Sequence, residues 1–456
     1  MGDLHFVGAG GAGMSPLAEV YARRGVQVSG CDLRDSAAVR RLRTLGVDVR
    51  LGHDPDHLQT AERVVVSRAV PPTEPEVAAA RARGLPVLHR AQLLGQLLAR
   101  EADSVGVVGT HGKTTTTALL TVALEAAGLD PMALVGGEVH QFGGGARVGS
   151  GVAVAEVDES DGSLLHVAPW AAVVTSLDLT DHADFYASPE HLEQTFRRFL
   201  QGIQADGFAV LCADHPITAR MASVPRVPVI TYGLGGDGDL VAEVEELRGP
   251  ASRALVRYGG RRLGRLTLQV PGRYNVANAL GAVAIGLQVG ISFDIIAQAL
   301  AAFRGVRRRF EIRGEAEGVL VVDDYAHNPV KVAAVLRAAR ECWPGRRVVA
   351  LFQPHRYTRT RTTHAQFADA FRDADQVVIT EIYPADEEPI PGVSAALIVD
   401  ALRLRRPVEF VPSAEEAAER VARLARPGDL VLTLGAGDIW TAADRLLELL
   451  RARVRP

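Results

Sequence analysis

The sequence predicts an α/β protein of three domains, each built around a mostly parallel sheet. At 456 residues the chain is too long for one core, and about 150 residues per domain gives roughly three domains. Short apolar runs alternate with helix-like stretches, and two of these runs enter glycine-rich turns that open helices. We therefore expect a Rossmann-like N-terminal domain, a central P-loop ATPase domain with a mostly parallel sheet plus a small antiparallel sheet, and a Rossmann-like C-terminal domain.

The first predicted domain covers residues 1–95. A short buried strand over residues 4–8 (LHFVG) enters a glycine-rich turn. A β-turn-α-β opening of this kind is typical of nucleotide-binding units. The further predicted elements are Pro16–Arg24 (helix), Val26–Cys31 (strand), Val64–Ser67 (strand) and Glu74–Arg83 (helix).

The second predicted domain covers residues 96–304. Strand-like Val105–Val108 runs through GTHGK into a long helix-like segment, Thr114–Ala127. Residues 226–270 contain short alternating runs separated by GLGGDG and GGR, which favour antiparallel strands and hairpins. The other predicted elements are strands at Gly151–Val157, Ala171–Ser176 and Ala209–Cys212, and a closing helix at Asn275–Val289.

The third predicted domain covers residues 305–456 and begins with an arginine-rich linker, Gly305–Arg309. Strands and helices alternate again, so a mostly parallel sheet is expected. The predicted strands are Val319–Asp323, Arg347–Phe352, Gln376–Thr380, Val408–Val411 and Leu430–Leu434.

Composition excludes several classes of protein. The net charge of −4, with both signs interspersed, argues against nucleic-acid binding, which needs a basic face. Cys31, Cys212 and Cys342 lack CxxC spacing, so neither a disulfide framework nor a zinc site is suggested. With neither a signal-like leader nor an apolar run of about 18 residues, we expect a cytoplasmic protein outside the membrane. Monomer and homodimer both stay open.

The strongest chemical motif is GTHGKTT at Gly109–Thr115, between a predicted strand and a predicted helix. Only Lys113 and Lys331 are lysines among the 50 basic residues, so a retained lysine suggests a need for a compact ammonium group. Backbone N–H groups there can surround phosphates, while Lys113 reaches the β and γ oxygens and Thr114 binds Mg²⁺. Val107 replaces the first glycine of the full P-loop pattern.

An acidic loop, AEVDESDGS at Ala155–Ser163, follows a predicted strand. Glu156, Asp158, Glu159 and Asp161 offer the hard oxygen ligands that a nucleotide-bound divalent ion prefers. An acidic surface loop is the plain alternative. His182 in DLTDH is a candidate second metal ligand, although a lone histidine is more often structural.

Two weaker motifs suggest ligand contacts. The turn Gly8–Gly13 can hold a pyrophosphate, or it can be only a tight turn. Asn275 and Asn278 lie three residues apart, on one helical face suited to a purine, with helix capping as the alternative.

Three motifs of the third domain place Arg, Asp and His near strand ends, where doubly wound sheets bind ligands. Each alone can be an ion-pair cluster, but with a P-loop in the same chain they suggest a composite site. They are RRRFE (Arg307–Glu311), DDYAHNP (Asp323–Pro329) and QPHRYTRTR (Gln353–Arg361).

The order of these motifs, with the final GAGD, resembles the Mur ligase family over nearly the whole chain. The opening HFVGAGGAGM is similar to members that add L-alanine to UDP-N-acetylmuramate, whereas GTHGKTT and DDYAHNP are shared across the superfamily. The resemblance implies an ATP-dependent carboxylate-amine ligase of peptidoglycan synthesis that uses Mg²⁺ or Mn²⁺. A peptide-recycling ligase or a folylpolyglutamate synthetase is the alternative within this architecture.

The resemblance also implies a role for each matching residue. Lys113, Glu156, His182 and Arg309 are expected to be catalytic, and Thr114, Glu156 and His182 to bind the metal. The ATP site would contain Gly109, Thr110, His111, Gly112, Lys113, Thr114, Thr115, Asn275, Asn278, Arg309 and Asp324. The UDP-sugar would contact Gly10, Gly11, Gly13 and Ser67, and the amino acid would contact Tyr325, His355, Arg356 and Arg359.

Four positions depart from the family pattern. The family commonly has His at Tyr274, Asn at Ser176, Ser at Arg68 and His at Asn328, which affects the adenine contact and UDP-sugar recognition. Residues 182–200 contain no lysine, so the carbamylated lysine of some relatives should be absent.

The implied reaction proceeds through an acyl phosphate, because an unactivated carboxylate is a poor electrophile. Two alternatives come from other classes. A nicotinamide-dependent dehydrogenase would use Gly8–Gly13 but leaves GTHGKTT unexplained, and a non-catalytic regulator would bind ATP without releasing phosphate.

Overall fold

The computed structural model describes residues 2–179, 185–236, 238–385 and 387–453. The chain forms two compact units. The first unit contains Met1–Glu243, Leu255–Leu266 and Ala277–Arg304. The second unit contains Val244–Ala254, Thr267–Val276 and Gly305–Pro456.

The strands and helices alternate along most of the chain. The strands are β1 (Leu4–Val7), β2 (Val28–Asp32), β3 (Asp48–Leu51), β4 (Arg63–Val66), β5 (Val87–His89), β6 (Ser104–Val108), β7 (Met132–Val139), β8 (Gly144–Arg147), β9 (Ala153–Glu156), β10 (Ala171–Val174), β11 (Phe208–Cys212), β12 (Val229–Gly233), β13 (Leu240–Arg248), β14 (Ala251–Tyr258), β15 (Arg261–Leu268), β16 (Glu311–Ala316), β17 (Val319–Asp324), β18 (Arg347–Phe352), β19 (Gln376–Ile379), β20 (Val408–Phe410) and β21 (Asp429–Leu434). The α-helices are α1 (Ser15–Arg23), α2 (Ala37–Thr44), α3 (Pro75–Ala82), α4 (Arg90–Leu98), α5 (Lys113–Ala126), α6 (Pro189–Gln201), α7 (Pro216–Arg220), α8 (Arg273–Gln288), α9 (Phe293–Ala301), α10 (Pro329–Cys342), α11 (Tyr357–Thr363), α12 (Phe367–Ala370), α13 (Ala396–Arg403), α14 (Ala414–Leu424) and α15 (Trp440–Ala452). Short 3-10 helices are Pro55–Leu58, Ser163–His166, Met221–Ser223 and His364–Gln366.

The N-terminal sheet is a doubly wound parallel sheet in the order β3-β2-β1-β4-β5. The strand order reverses between β1 and β4, and the glycine-rich turn follows β1 there. Ligands of such sheets bind at this reversal, outside the carboxyl ends of the strands. The fold therefore positions the turn where a ligand is expected.

The central sheet has the order β15-β14-β13-β12-β11-β10-β6-β9-β7-β8. β6 lies in its interior, parallel to both β10 and β9, and all five of its residues are buried. This explains the uninterrupted apolar run before GTHGK, because a strand covered on both faces has no polar side. β6 therefore fixes the start of the loop that follows it.

The sheet of the second unit has the order β16-β17-β21-β18-β19-β20. β16 is antiparallel to β17, and the other pairings are parallel. One apolar cluster around Phe352 and another around Val349 hold alternate residues of these strands. The mixed α/β architecture with three sheets confirms the predicted fold class.

Helix α6 illustrates how the sequence sets a helix. Ser188 caps its first turn by accepting from the N–H of His191 at 3.3 Å, and a proline follows at the first helical position. Its apolar positions recur at helical spacing and are buried at Leu192, Phe196 and Phe199. Among the described residues, every helix is too short or too polar to cross a membrane.

One strand prediction was wrong. The segment VPVITY was expected to join antiparallel strands, but β12 is parallel to β11 and also to β13. The Asp239 side chain accepts from the N–H and the hydroxyl of Thr231, both at 2.8 Å. This contact holds the start of β13 beside β12, so β13 continues the parallel part of the sheet before the later strands follow.

Candidate active site

The phosphate loop joins β6 to α5, and two of its glycines are sterically required. Gly109 and Gly112 have φ angles of 135° and 87°. A Cβ on Gly109 would lie 2.2 Å from Thr175 Oγ1, and one on Gly112 would lie 2.3 Å from Asn278 Oδ1. Within the described residues no side chain caps the start of α5. The start of this helix is therefore a favourable position for an anion.

Lys113 is the first residue of α5 and is held by two oxygen partners. Its Nζ donates to Gly109 O at 2.6 Å and lies 2.7 Å from Glu159 Oε2. Burial alone would lower the pKa of Lys113, but the charges of Glu159 and neighbouring acids outweigh it and raise that pKa above its usual value. The ammonium group is therefore charged and oriented along the loop.

The carboxylates of the acidic loop have separate partners. Asp158 Oδ2 accepts from Arg90 Nη2 at 2.5 Å, whereas Glu159 pairs with Lys113. Burial would raise the pKa of Asp158, but Arg90 and Lys113 hold it at about 2. Asp161 Oδ1 accepts from the N–H of Ser163 at 3.0 Å. These three acids therefore mainly serve to orient cations and the loop.

Glu156 and Thr114 form the oxygen pair that fits a divalent ion. Glu156 Oε1 accepts from Thr114 Oγ1 at 3.1 Å, and Oε2 accepts from the N–H of Gly136 at 2.7 Å. A hydroxyl and a carboxylate beside a phosphate loop are hard ligands of the kind that Mg²⁺ prefers. His182, the other predicted ligand, lies outside the described residues.

The far side of the phosphate loop is held by β10 and the residues after it. Thr175 donates to His111 O, and the N–H of His111 donates to Ser176 Oγ at 3.0 Å. Ser176 also lies 3.2 Å from Thr110 Oγ1. Ser176, where the family commonly has Asn, thus provides an acceptor for the loop.

The glycine-rich turn after β1 is fixed by backbone contacts and one carboxylate. The N–H groups of Gly8 and Ala9 donate to Cys31 O at 2.9 Å, and that of Gly10 donates to Asp32 Oδ2 at 2.8 Å. An acid at the end of the second strand is where a dinucleotide fold contacts the ribose. Because Asp32 holds the turn instead, the geometry does not favour the dehydrogenase alternative.

Arg90 connects this turn to the acidic loop. A Cβ on Gly13 would lie 2.8 Å from Arg90 Nη1, and the same guanidinium pairs with Asp158. Gly13 thus leaves room for a cation beside the N-terminus of α1, where no described side chain provides a cap. Ser67 follows β4, and its carbonyl accepts from the N–H of Val70 at 3.1 Å.

Asn275 and Asn278 are both buried on α8. Asn275 Nδ2 donates to Pro271 O at 2.8 Å, so its amide helps to fix the start of the helix. In the first unit, Asn278 lies against Gly112 of the phosphate loop. The proposed adenine contact stays a prediction for both residues.

In the second unit, Asp324 ends β17 beside the arginine-rich segment. Asp324 accepts from the N–H groups of Phe310 and Ala326, both at 2.7 Å. Burial raises the pKa of Asp324 to about 6, although Arg309 opposes that shift. The guanidinium of Arg309 also lies 5.2 Å from the centre of the Tyr325 ring. The motifs RRRFE and DDYAHNP are thus brought together.

The motif QPHRYTRTR forms the neighbouring cluster of the second unit. His355 Nδ1 lies 3.0 Å from Arg359 Nη1, and its ring centre is 5.6 Å from that of His327. Burial, together with the charge of Arg359, lowers the pKa of His355 to about 3. His355 is therefore neutral and accepts from Arg359, which remains the cation. Arg356 has a φ of 68°, a strained value of the kind that clusters at binding sites.

Several residues of these clusters were not predicted. Arg90 lies against Gly13 of the glycine-rich turn, and Tyr383 stacks on His355 with ring centres 5.8 Å apart. Gln353 donates to Asp438 Oδ1 at 2.7 Å and so joins QPHR to the final GAGD. The only sequence signal was that Gln353 and Asp438 belong to motifs at strand ends.

Comparisons with known proteins agree along the whole chain. The Mur ligase family, catalytic domain, matches residues 3–102; the Mur ligase middle domain matches residues 107–286; and the Mur ligase, glutamate ligase domain, matches residues 308–437. The UDP-N-acetylmuramate–L-alanine ligase of Rubrobacter xylanophilus is 47% identical over 98% of this chain and 100% of its own. That of Oleidesulfovibrio alaskensis is 44% identical over 98% of both.

Solved structures lead to the same group. The crystal structure of the UDP-N-acetylmuramate-alanine ligase from Thermotoga maritima matches with a TM-score of 0.85 and 30% identity, covering 99% of this chain and all of that one. Together with the phosphate loop and the acidic loop, these relatives and family domains define an ATP-dependent acid–amino acid ligase. The chain belongs to the Mur ligase family.

Proposed function

We propose that the chain joins L-alanine to the lactyl carboxylate of UDP-N-acetylmuramate while ATP is converted to ADP and phosphate. The observation that carries the proposal is Lys113, a partly buried, charged lysine held at an uncapped helix N-terminus. The names of the full-length relatives support the choice of substrates. We place the reaction in cytoplasmic peptidoglycan synthesis, where ATP is available.

Phosphoryl transfer comes first in this scheme. The lactyl carboxylate attacks the γ-phosphorus of ATP and gives an acyl phosphate, which turns a poor electrophile into a good one. Lys113 and the first N–H groups of α5 stabilise the charge on the transferred group. Glu159 orients Lys113 before ATP binds and takes no part in the bond changes.

A divalent ion fits beside the loop. Thr114 and Glu156, already 3.1 Å apart, would hold it, and we propose His182 as a further ligand. When bound, such an ion neutralises charge on the phosphates and orients them. Mg²⁺ suits the two oxygen ligands, and Mn²⁺ suits the set once an imidazole is included.

The UDP-sugar is assigned to the glycine-rich turn of the first domain. Gly10, Gly11 and Gly13 belong to this turn, which lies beside the N-terminus of α1, and Ser67 follows the neighbouring strand β4. Arg90 lies against Gly13 and would add a positive charge for the pyrophosphate.

The second unit is assigned to the amino acid and to further nucleotide contacts. Arg359, with His355 as a neutral acceptor on its guanidinium, would pair with the carboxylate of alanine. Tyr325 and Arg356 belong to the same cluster, while Arg309 and Asp324 would contact ATP, as would Asn275 and Asn278 on α8. The free amine then attacks the acyl phosphate, and phosphate leaves from the tetrahedral intermediate.

Phosphate release tests this function directly. The protein is incubated with ATP, Mg²⁺ and UDP-N-acetylmuramate, and each amino acid is added in turn. We expect release that requires all components and is fastest with alanine. Release that needs a peptide instead of alanine would favour a recycling ligase, and ATP binding without release under every condition would leave a regulator.

A further inference from the structure

A largely buried group of titratable side chains lies at the N-terminal sheet, between β1, β2, the segment after β3 and the start of α3, and has no part in the proposed reaction. We call it the thiol–histidine cluster. Cys31 and Glu76 are 0% exposed, and the backbone carbonyl of Cys31 is the acceptor that fixes the glycine-rich turn. The members of the cluster are His5, Cys31, His53, His57, Glu74 and Glu76.

Glu76 is the centre of the cluster. Its Oε2 accepts from Cys31 Sγ at 2.8 Å and lies 3.0 Å from His5 Nε2. Its Oε1 lies 2.7 Å from His57 Nδ1 and accepts from the N–H of Asp54 at 3.0 Å. Burial would raise the pKa of Glu76, but these hydrogen bonds lower it to about 2. A charged carboxylate is therefore present at neutral pH.

His53 and Glu74 close the other side of the cluster. His53 Nδ1 lies 3.1 Å from Cys31 Sγ, 3.7 Å from Glu74 Oε1 and 4.0 Å from Glu76 Oε1. Glu74 is 6% exposed, and its Oε1 accepts no hydrogen bond from any described residue. A buried carboxylate oxygen that accepts no hydrogen bond destabilises the folded protein. Glu74 Oε1 therefore indicates that a positively charged partner binds here.

The possible ligands form two groups that share Glu76, one with His5 and Cys31 and the other with His53 and Glu74, and within each group the ligand atoms lie within 4.8 Å of one another. Tetrahedral zinc with ligand bonds of roughly 2.0–2.3 Å separates neighbouring ligand atoms by about 3.3–3.8 Å. The separations around His53 bracket that range, and the Cys31–Glu76 hydrogen bond is slightly shorter. Because Cys31 Sγ and His53 Nδ1 connect the two groups at 3.1 Å, we propose that small side-chain movements bring Cys31 Sγ, His53 Nδ1, Glu74 Oε1 and a carboxylate oxygen of Glu76 onto one divalent transition-metal ion, with zinc the best fit.

The donor set selects the kind of ion. A thiolate and an imidazole favour zinc over Mg²⁺ or Ca²⁺, which take oxygen ligands. Four protein ligands in a buried position are typical of structural sites, because no coordination position is left for a substrate. His5 and His57 then act as outer partners that orient Glu76.

Binding has a defined proton balance. Burial and the Glu76 carboxylate raise the pKa of the Cys31 thiol, so its proton now lies between the two side chains. The ion replaces that proton, which passes to solvent. The site would join β2, the segment after β3 and the start of α3, and so stiffen the strand end that holds Gly8 and Ala9.

Cobalt titration tests the thiolate ligand. Full-length protein is stripped with a chelator and titrated with Co²⁺, whose thiolate charge-transfer absorption reports a bound cysteine. We expect saturation at one equivalent, loss of the band in Cys31→Ser, and retention in Cys212→Ser and Cys342→Ser, which remove the other buried cysteines. Absence of the band, or a band that persists in Cys31→Ser, would overturn the proposal.

Thermal unfolding with zinc provides an independent measurement. Excess Zn²⁺ should raise the first unfolding midpoint by about 5 °C. Glu74→Gln keeps an acceptor for the Val77 N–H that now binds Glu74 Oε2 but removes the charge, so we expect apparent zinc affinity to fall at least about tenfold. Glu156→Gln controls for zinc at the phosphate loop and should keep the shift. A cluster held by hydrogen bonds alone would give no shift in the unaltered protein, or an equal one in Glu74→Gln.

Discussion

Two turns of the first unit, the phosphate loop and the glycine-rich turn after β1, have the same strand–turn–helix arrangement. They differ in which part of the chain provides the neighbouring cation. Each joins a buried strand to a helix whose N-terminus has no side-chain cap among the described residues. At the phosphate loop the cation, Lys113, is the first residue of the helix itself. At the glycine-rich turn after β1 the cation is Arg90, which begins α4 and reaches Gly13 from outside.

Both cations are paired with consecutive residues of the acidic loop. Asp158 holds Arg90, and Glu159 holds Lys113. An anion that binds at either turn must therefore compete with, or share, the cation of one neighbouring carboxylate. The comparison shows that one short segment, Asp158–Glu159, pairs with the cations of both turns that we propose as anion sites.

Exchanging the cations should have the largest effect. Lys113→Arg keeps the charge, but a forked guanidinium does not fit where a compact ammonium donates to Gly109 and Glu159. We expect kcat to fall about 100- to 1000-fold, as when one preorganised donor is lost, with little change in the thermal midpoint. The reverse exchange, Arg90→Lys, is the matched control and should cost about tenfold, mainly in the KM for the UDP-sugar. Near-normal turnover in Lys113→Arg would show that the shape of the cationic group does not matter at the phosphate loop. The two turns would then not differ in the kind of cation that they require.

Arg359 provides the next largest effect and tests whether a third anion site is separate from both turns. Arg359→Ala removes a charged hydrogen-bond donor worth about 1.5–3 kcal/mol, so the KM for alanine should rise about 10- to 100-fold. ATP affinity, measured by calorimetry without the other substrates, should change less than about threefold. If ATP binding collapses while the alanine requirement stays fixed, Arg359 belongs to the nucleotide site.

Replacing Glu159 or Asp158 by its amide should change the pH–rate profile in different ways, because each acid pairs with the cation of a different turn. Protonated Lys113 is the competent form, so activity is lost as pH rises through its raised pKa. Glu159→Gln removes a charge that raises this pKa, and the alkaline limb of the pH–rate profile should therefore move to lower pH, with kcat reduced about tenfold. Asp158→Asn should leave that limb closer to the original, and should change the KM for the UDP-sugar instead. Identical profiles in the two variants would contradict the division between the turns.

The smallest expected effect on turnover comes from removing the side-chain cap at the start of helix α10. Asn328 Oδ1 accepts from the N–H of Lys331 at 2.9 Å, so α10 closes its own N-terminus and has less capacity for an anion than α1 or α5. Asn328→Ala should lower the free energy of unfolding by about 1 kcal/mol and change kcat less than about threefold. Ser413→Ala, which removes the matching cap of α14, is the control for stability. A large loss of turnover in Asn328→Ala alone would give this departure from the family pattern a role in catalysis.

Local patterns predicted the fold well, and they correctly placed GTHGKTT between a strand and a helix. β18 has the predicted bounds, Arg347–Phe352, because a buried parallel strand is a continuous apolar run. GTHGKT could be interpreted because its six residues act together as neighbours in sequence. The alternating character of residues 226–270 misled us about β12, since pairing direction there depends on a contact from Asp239.

Long-range pairs were beyond sequence reasoning. Nothing local indicates that Arg90 meets Asp158, 68 positions later, or that Glu159 selects Lys113. By residue type alone the four acids of the loop appeared equivalent as metal ligands; the family resemblance selected Glu156, and packing places it beside Thr114. The cysteines likewise gave no metal spacing, because Cys31, His53 and Glu76 meet only when three elements pack together.

The burial of all three cysteines also determines how the protein can be labelled. Burial raises the pKa of Cys212 and of Cys342 to about 11, so at neutral pH almost none of either thiol is in the nucleophilic thiolate form. A cysteine introduced at an exposed position, for example in place of Ser150, would react with a maleimide dye far faster than the native thiols. Pairs of such dyes, placed without first removing the natural cysteines, would allow single-molecule fluorescence to follow the two units during turnover.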